Sequence, residues 1–92
     1  MKEYKITDIL GKNFSISHED GIIVRDFCNK IIKKEDIITL DFKHIFMLSE
    51  EFLGALILNL IKKYKKENIK NIVKFKNIEQ EEFFYSFINK KL

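Results

Sequence analysis

Apolar and polar residues alternate along this chain in two rhythms, and the changes of rhythm mark its elements. Tyr4 to Leu10 alternates loosely and predicts a strand, followed by a turn at Gly11-Lys12-Asn13. Phe14 and Ile16 stand two apart, so Asn13 to Ser17 reads as a second short strand in a hairpin with the first. Ser17 precedes Asp20 by three residues, the spacing of a capping box, and predicts a helix from about His18 to Lys34. Ile23, Phe27 and Ile31, with Val24 and Cys28 beside them, form its apolar stripe. Lys30, Lys33 and Lys34 suit the negative end of its dipole.

Ile37 to Phe42 is short, β-branched and almost uninterrupted, as expected of a central strand covered on both faces. A second helix is predicted from about Glu50 to Lys66, ending near Asn68. Its stripe is Phe52, Leu53, Leu56, Ile57, Leu60 and Tyr64, with Ala55 and Leu58 on the opposite side. Ile69 to Lys76 reads as another strand in which Val73 and Phe75 share a face. Asn77 and Gln80 then cap a last helix, Glu81 to about Lys91, with Phe83, Phe84, Phe87 and Ile88 on one side.

The predicted order is β-β-α-β-α-β-α: an α/β fold with a four-stranded, mostly parallel sheet and right-handed crossovers. The helices should lie chiefly on one side, so the bare face would need a cover or a partner. With 92 residues, one domain is expected, and 46% hydrophobic content with nine Phe is ample for a packed core. No apolar run approaches the roughly 18 residues that span a bilayer. The first residues, MKEYKITD, lack the apolar region of a signal peptide, so a cytoplasmic location is expected.

Cys28 is the only cysteine, which leaves no intramolecular disulfide and no cysteine-rich metal site. It reads as a small buried hydrophobe. His18 and His44 have no suitably spaced companions and read as surface residues, so no metal and no cofactor are expected. Gly11, Gly21 and Gly54 are isolated, and no nucleophile, base and orienter fall into a set; the chain reads as non-enzymatic.

Proline is absent, and Arg25 is the one arginine beside sixteen lysines. Enrichment in Lys, Asn and Ile is what an AT-rich bacterial or phage genome encodes, and it lessens the meaning of the net charge of +3. Lys62, Lys63, Lys65, Lys66, Lys70, Lys74 and Lys76 would make a phosphate-binding patch if they converged. Specific base readout leans on arginine, and Glu67, Glu79, Glu81 and Glu82 oppose the field, so nucleic-acid binding is the weaker reading.

Ser17-His18 before the first helix, Asp41-Phe42 closing the central strand and Phe52 in the second helix carry a resemblance. With the element order, they make the chain similar to the STAS domain, specifically the bacterial STAS-like family of unknown function, over about Ile6 to Ile88. Members look like Ser-Arg, Asp-Phe and Phe-Ala-Asp-Glu at these places; here Leu53-Gly54-Ala55 replaces the acidic end of the last motif. Related anti-sigma-factor antagonists carry Asp-Ser-Ser-Gly in the loop, whose first serine is phosphorylated by a GHKL-type kinase. Gapless alignment from Asp41 puts Ser49 on that aspartate and Glu50 on the phosphoacceptor. Glu50 accepts no phosphate and imitates one only crudely.

The resemblance implies a regulatory protein–protein interaction module of the partner-switching kind, binding a GHKL-type ATPase. The expected contact surface is His44, Phe46, Met47 and Leu48 in the loop, Ser49, Glu50, Glu51 and Phe52 at the helix start, and Leu58, which with Phe46, Met47 and Leu48 would form a contiguous apolar patch. Ser49 has two readings: a helix N-cap flanked by favourable carboxylates, or a phosphoacceptor shifted by one position. Alternatives are a small phage or mobile-element protein that inhibits or triggers a host factor through the same patch, and a lysine-driven nucleic-acid binder. Homodimerisation stays open.

Overall fold

The computed structural model describes residues 2–14, 17–32, 37–65, 69 and 71–91. Three strands occur among them: β1 (Lys2–Lys5), β2 (Ile38–Asp41) and β3 (Val73–Lys76). Both pairings are parallel, with β2 in the middle. Tyr4 lies beside Leu40 and Leu40 beside Phe75, so these three side chains share a face. Four helices accompany the sheet: α1 (Ile6–Leu10), α2 (His18–Ile32), α3 (residues 50–64) and α4 (Glu81–Lys91). The protein is thus α/β with a three-stranded parallel sheet, and no helix among the described residues is long and apolar enough to cross a membrane.

The expected opening hairpin is corrected. The first strand stops at Lys5, and the following residues form α1. Ile6, Ile9 and Leu10 fall at i, i+3 and i+4, which is helical spacing; Ile6 is fully buried and the other two pack against the core. Gly11 closes this helix at φ 71°, donating its N–H to the Thr7 carbonyl at 2.8 Å. Asn13 and Phe14 belong to no strand, and Ser15 and Ile16 lie outside the described residues. A fourth strand is absent from the described residues; of the segment that was to supply it, Asn13 turns its carbonyl to the loop after β2.

α2 begins as anticipated, with the Asp20 N–H donating to Ser17 Oγ at 3.0 Å. Its predicted end at Lys33 and Lys34 lies outside the described residues, as does the end of α3 at Asn68. β2 is buried along its whole length, as a central strand should be. One face of the sheet meets the helices: Tyr4 packs edge-on to Phe27 of α2, with centroids 5.0 Å apart, and Phe75 lies 5.0 Å from Phe84 of α4. The alternate residues Glu3, Lys5, Thr39, Asp41, Lys74 and Lys76 point away from the helices. That face is polar, and an ion pair between Lys76 and Glu3 reaches over β2.

α3 buries Phe52, Leu53, Leu56, Ile57 and Leu60, the predicted stripe. Its middle, Gly54–Leu58, is a π-helix, wider by one residue per turn than the flanking α-helical Glu50–Leu53 and Asn59–Tyr64. Ala55 is not on the solvent side as expected. It faces α2 at Gly21, where an added Cβ would stand 2.7 Å from the Ala55 Cβ and 2.5 Å from the Phe52 carbonyl oxygen. Tyr64 completes the contact, its hydroxyl 3.5 Å from Asn29 Oδ1 of α2.

β3 is shorter than predicted, since Ile69, Asn71 and Ile72 are helical. Within it Val73 and Phe75 are the inward pair, as the alternation required. α4 has the predicted span and turns Phe84, Phe87 and Ile88 inward, whereas Phe83 is 37% exposed and belongs to the outer side. Phe84 joins Phe42 and Phe75 in an aromatic cluster, 6.0 and 5.0 Å between centroids.

Candidate functional site

The site is built where β2 ends. Asp41 is almost wholly buried, and its Oδ1 accepts from the Lys43 backbone N–H at 2.9 Å and from Asn77 Nδ2 at 2.8 Å. Burial alone would raise the Asp41 pKa. The two hydrogen bonds and the positive charges of Lys76 and Lys5 outweigh it, and the carboxyl is held below its ordinary value. Asn77 therefore does not cap α4 as the sequence suggested; at φ 59° it turns its amide to Asp41.

Residues 43–48 are pinned on several sides. His44 takes the left-handed conformation at φ 69°, which reverses the chain and lets the Ile45 N–H donate to the Phe42 carbonyl at 3.0 Å. Ile45 is buried and anchors the loop in the core. The Phe46 N–H donates to the Asn13 carbonyl at 3.1 Å, and the Phe46 carbonyl accepts from Gln80 Nε2 at 2.6 Å. The loop that leaves β2 is thus tied to the segment before α2 and to the start of α4.

Held this way, Phe46 is 52% exposed and Met47 54% exposed. Leu48 and Ser49 are half-buried, while His44, Glu50 and Glu51 are exposed. Ser49 Oγ accepts the Phe52 N–H at 3.0 Å, the predicted N-cap, and the glutamates occupy the positive first turn. Phe52 is corrected: at 0% exposure its ring is a core element and offers nothing to a partner. Leu58 is 36% exposed and stands roughly 12 Å further along the helix than Glu50.

Phe14 and Phe83 were not among the predicted contact residues, yet both are exposed beside the pins, next to Asn13 and near Gln80. Lys12 sits over the Phe14 ring, 4.7 Å from its centroid, and pairs with Asp20 at 2.7 Å. No local periodicity signals these non-local ties; only the folded chain brings residues 13, 46 and 80 together.

The other candidates take simpler places. Cys28 is fully buried, and burial pushes its thiol pKa up to about 12, so it packs as a hydrophobe. His18 and His44 are both exposed. Lys62, Lys63 and Lys65 stand at the end of α3, Lys74 and Lys76 on β3, and Lys66 and Lys70 lie outside the described residues.

Comparison with known proteins returned no match among curated proteins and none among solved structures. The family model described as "STAS-like domain of unknown function (DUF4325)" matches residues 20–83, from the first turn of α2 to α4, and takes in both the end of β2 and the loop beyond it. The chain belongs to this STAS-like family.

Proposed function

We propose that the chain is a non-catalytic regulatory module that docks onto another protein through residues 43–51, and that the partner is a GHKL-type ATP-binding protein. The observation that carries this reading is the exposure of Phe46 and Met47, 52% and 54%, on a loop where both the N–H and the carbonyl of Phe46 are hydrogen-bonded. Large apolar side chains held out by a rigid loop are what an interface anchor requires. His44, Glu50 and Glu51 form its polar surround, and Leu48 and Ser49 its half-buried floor. The GHKL-type partner comes from the family resemblance, and Ser49, a cap in this fold, stands one position before Glu50, which aligns with the phosphorylated serine of the antagonists.

Calorimetric titration of the chain with a purified GHKL-type ATP-binding protein from the same cell, with and without ATP, tests the proposal. Met47→Asp should weaken binding by about tenfold or more, roughly 1.4 kcal/mol, without altering the thermal melt. Equal binding by this variant would remove the loop from the interface, and absence of binding by any such protein would remove the assigned partner.

A further inference from the structure

Strands β1 and β3 are the edges of the sheet, and β3 has backbone, apolar space and charge arranged for a further strand. The Phe42 N–H donates to the Lys76 carbonyl at 3.0 Å, which fixes the side of β3 that bonds β2. The N–H and C=O of one strand residue point the same way, and successive residues alternate. Lys74 and Lys76 therefore face β2 with their backbone groups. Val73 and Phe75 turn theirs to the outer edge, where no strand of the described residues lies.

The two faces beside that edge differ. On the helix side a cavity of about 400 Å³ opens between α3, α4 and β3, with Ile57, Leu60, Ile61 and Ile88 on its helical walls. Val73, Lys74 and Phe75 all line it and no described residue of β2 does, so it lies against the outer part of β3. The volume is enough for a bulky apolar side chain. On the other face Lys74 and Lys76 are exposed, and the strand carries no acid.

Outward backbone groups, with an apolar cavity on one face and cations on the other, match an extended chain whose side chains alternate in character. We propose that β3 binds, as an added strand, an extended segment of a partner protein in which apolar and acidic residues alternate. Its main chain bonds Val73 and Phe75, one apolar side chain enters the cavity, and its acids lie beside Lys74 and Lys76. Cross-strand neighbours of opposite charge stabilise a pairing and like charges oppose it. That rule also turns away a second copy of this chain. Pairing β3 with β3 sets lysine against lysine, and β1 offers only Glu3, already paired with Lys76, together with Lys2 and Lys5. None of residues 43–51 lines the cavity, so variants there separate this edge from the proposed docking loop.

The test is fluorescence polarisation with a labelled peptide of about eight residues alternating valine and glutamate, longer than a typical strand. It should bind with a dissociation constant below about 1 mM. A peptide of the same composition with its valines and glutamates in two blocks, and one alternating valine and lysine, should each bind about tenfold more weakly or worse. Lys74→Glu, checked for folding by circular dichroism, should weaken the glutamate peptide by about tenfold or more and strengthen the lysine peptide. Met47→Asp should change neither. Hydrogen exchange followed by NMR should show the Val73 and Phe75 amides slowed by the peptide. Absence of binding overturns the proposal, as does equal affinity for the blocked peptide or binding that leaves both amides exchanging as before. So does a dimer in sedimentation equilibrium that slows the same two amides without peptide, since a second copy then holds the edge.

Discussion

Asn77 donates its side-chain amide to the Asp41 carboxylate, 2.8 Å away, joining the ends of β2 and β3 at the point where the exposed loop begins. The acceptor is buried and ionised, and the donor sits at φ 59°, a conformation that asparagine tolerates. The pair fixes the direction in which the chain leaves the central strand.

Asn77→Gly keeps the backbone conformation and removes the donor, so it isolates the hydrogen bond. It should destabilise the fold by about 1–3 kcal/mol in urea unfolding, because a buried carboxylate loses a partner. Asp41 also sets an acid limit. Its folded pKa lies below its unfolded value, so its contribution is complete above about pH 3.9 and is lost as pH falls through the folded pKa. Asp41→Asn should remove that portion of the acid dependence; an unchanged stability–pH slope would contradict the assignment.

Gly21→Ala should be among the most damaging small substitutions. The new methyl would stand 2.5 Å from the Phe52 carbonyl oxygen, a backbone atom that cannot rotate aside. A loss of about 2–3 kcal/mol is expected in thermal melting, the upper part of the overpacking range. Ala55→Gly in the same chain should recover only part of it, since that change relieves one of the two close approaches.

Lys65 ends α3 with φ 67° and ψ 150°, a region suited to glycine. Lys65→Gly should stabilise the protein by about 1 kcal/mol and raise the melting temperature. Lys65→Ala, which keeps the Cβ, should give no such gain; equal behaviour of the two variants would show that the charge and not the backbone is responsible.

Ser49→Ala removes the acceptor for the Phe52 N–H and should lower stability by about 1 kcal/mol, while Ser49→Asp retains an acceptor and should stay near wild type. Chemical denaturation of the two variants side by side checks this. Equal stability of all three chains would discard the capping role.

What was legible in the sequence followed from period. The apolar run at 38–42, the stripe from Phe52 to Leu60 and the close-set phenylalanines of α4 each repeat at the interval of the element they form. Ser17 and Ser49 announced their helices because capping is a local relation. Ile6, Ile9 and Leu10 misled because a five-residue apolar–polar segment satisfies strand and helix spacing almost equally. Of the site, Phe46 and Met47 could be read, but Asn77 and Gln80 could not. Their side chains reach from the connection between β3 and α4 to bond Asp41 and the Phe46 carbonyl, and no spacing rule reaches across more than thirty residues of chain.

The double tether at Phe46 bears on the speed and strength of any encounter. Asn13 holds the amide side and Gln80 the carbonyl side, so the phenylalanine arrives at a collision already aimed. Little rotational freedom remains to be surrendered on contact, and complexes made through such a rigid finger lose less entropy than those that must first organise a floppy one. Loosening either tether while leaving the phenylalanine in place would then slow capture.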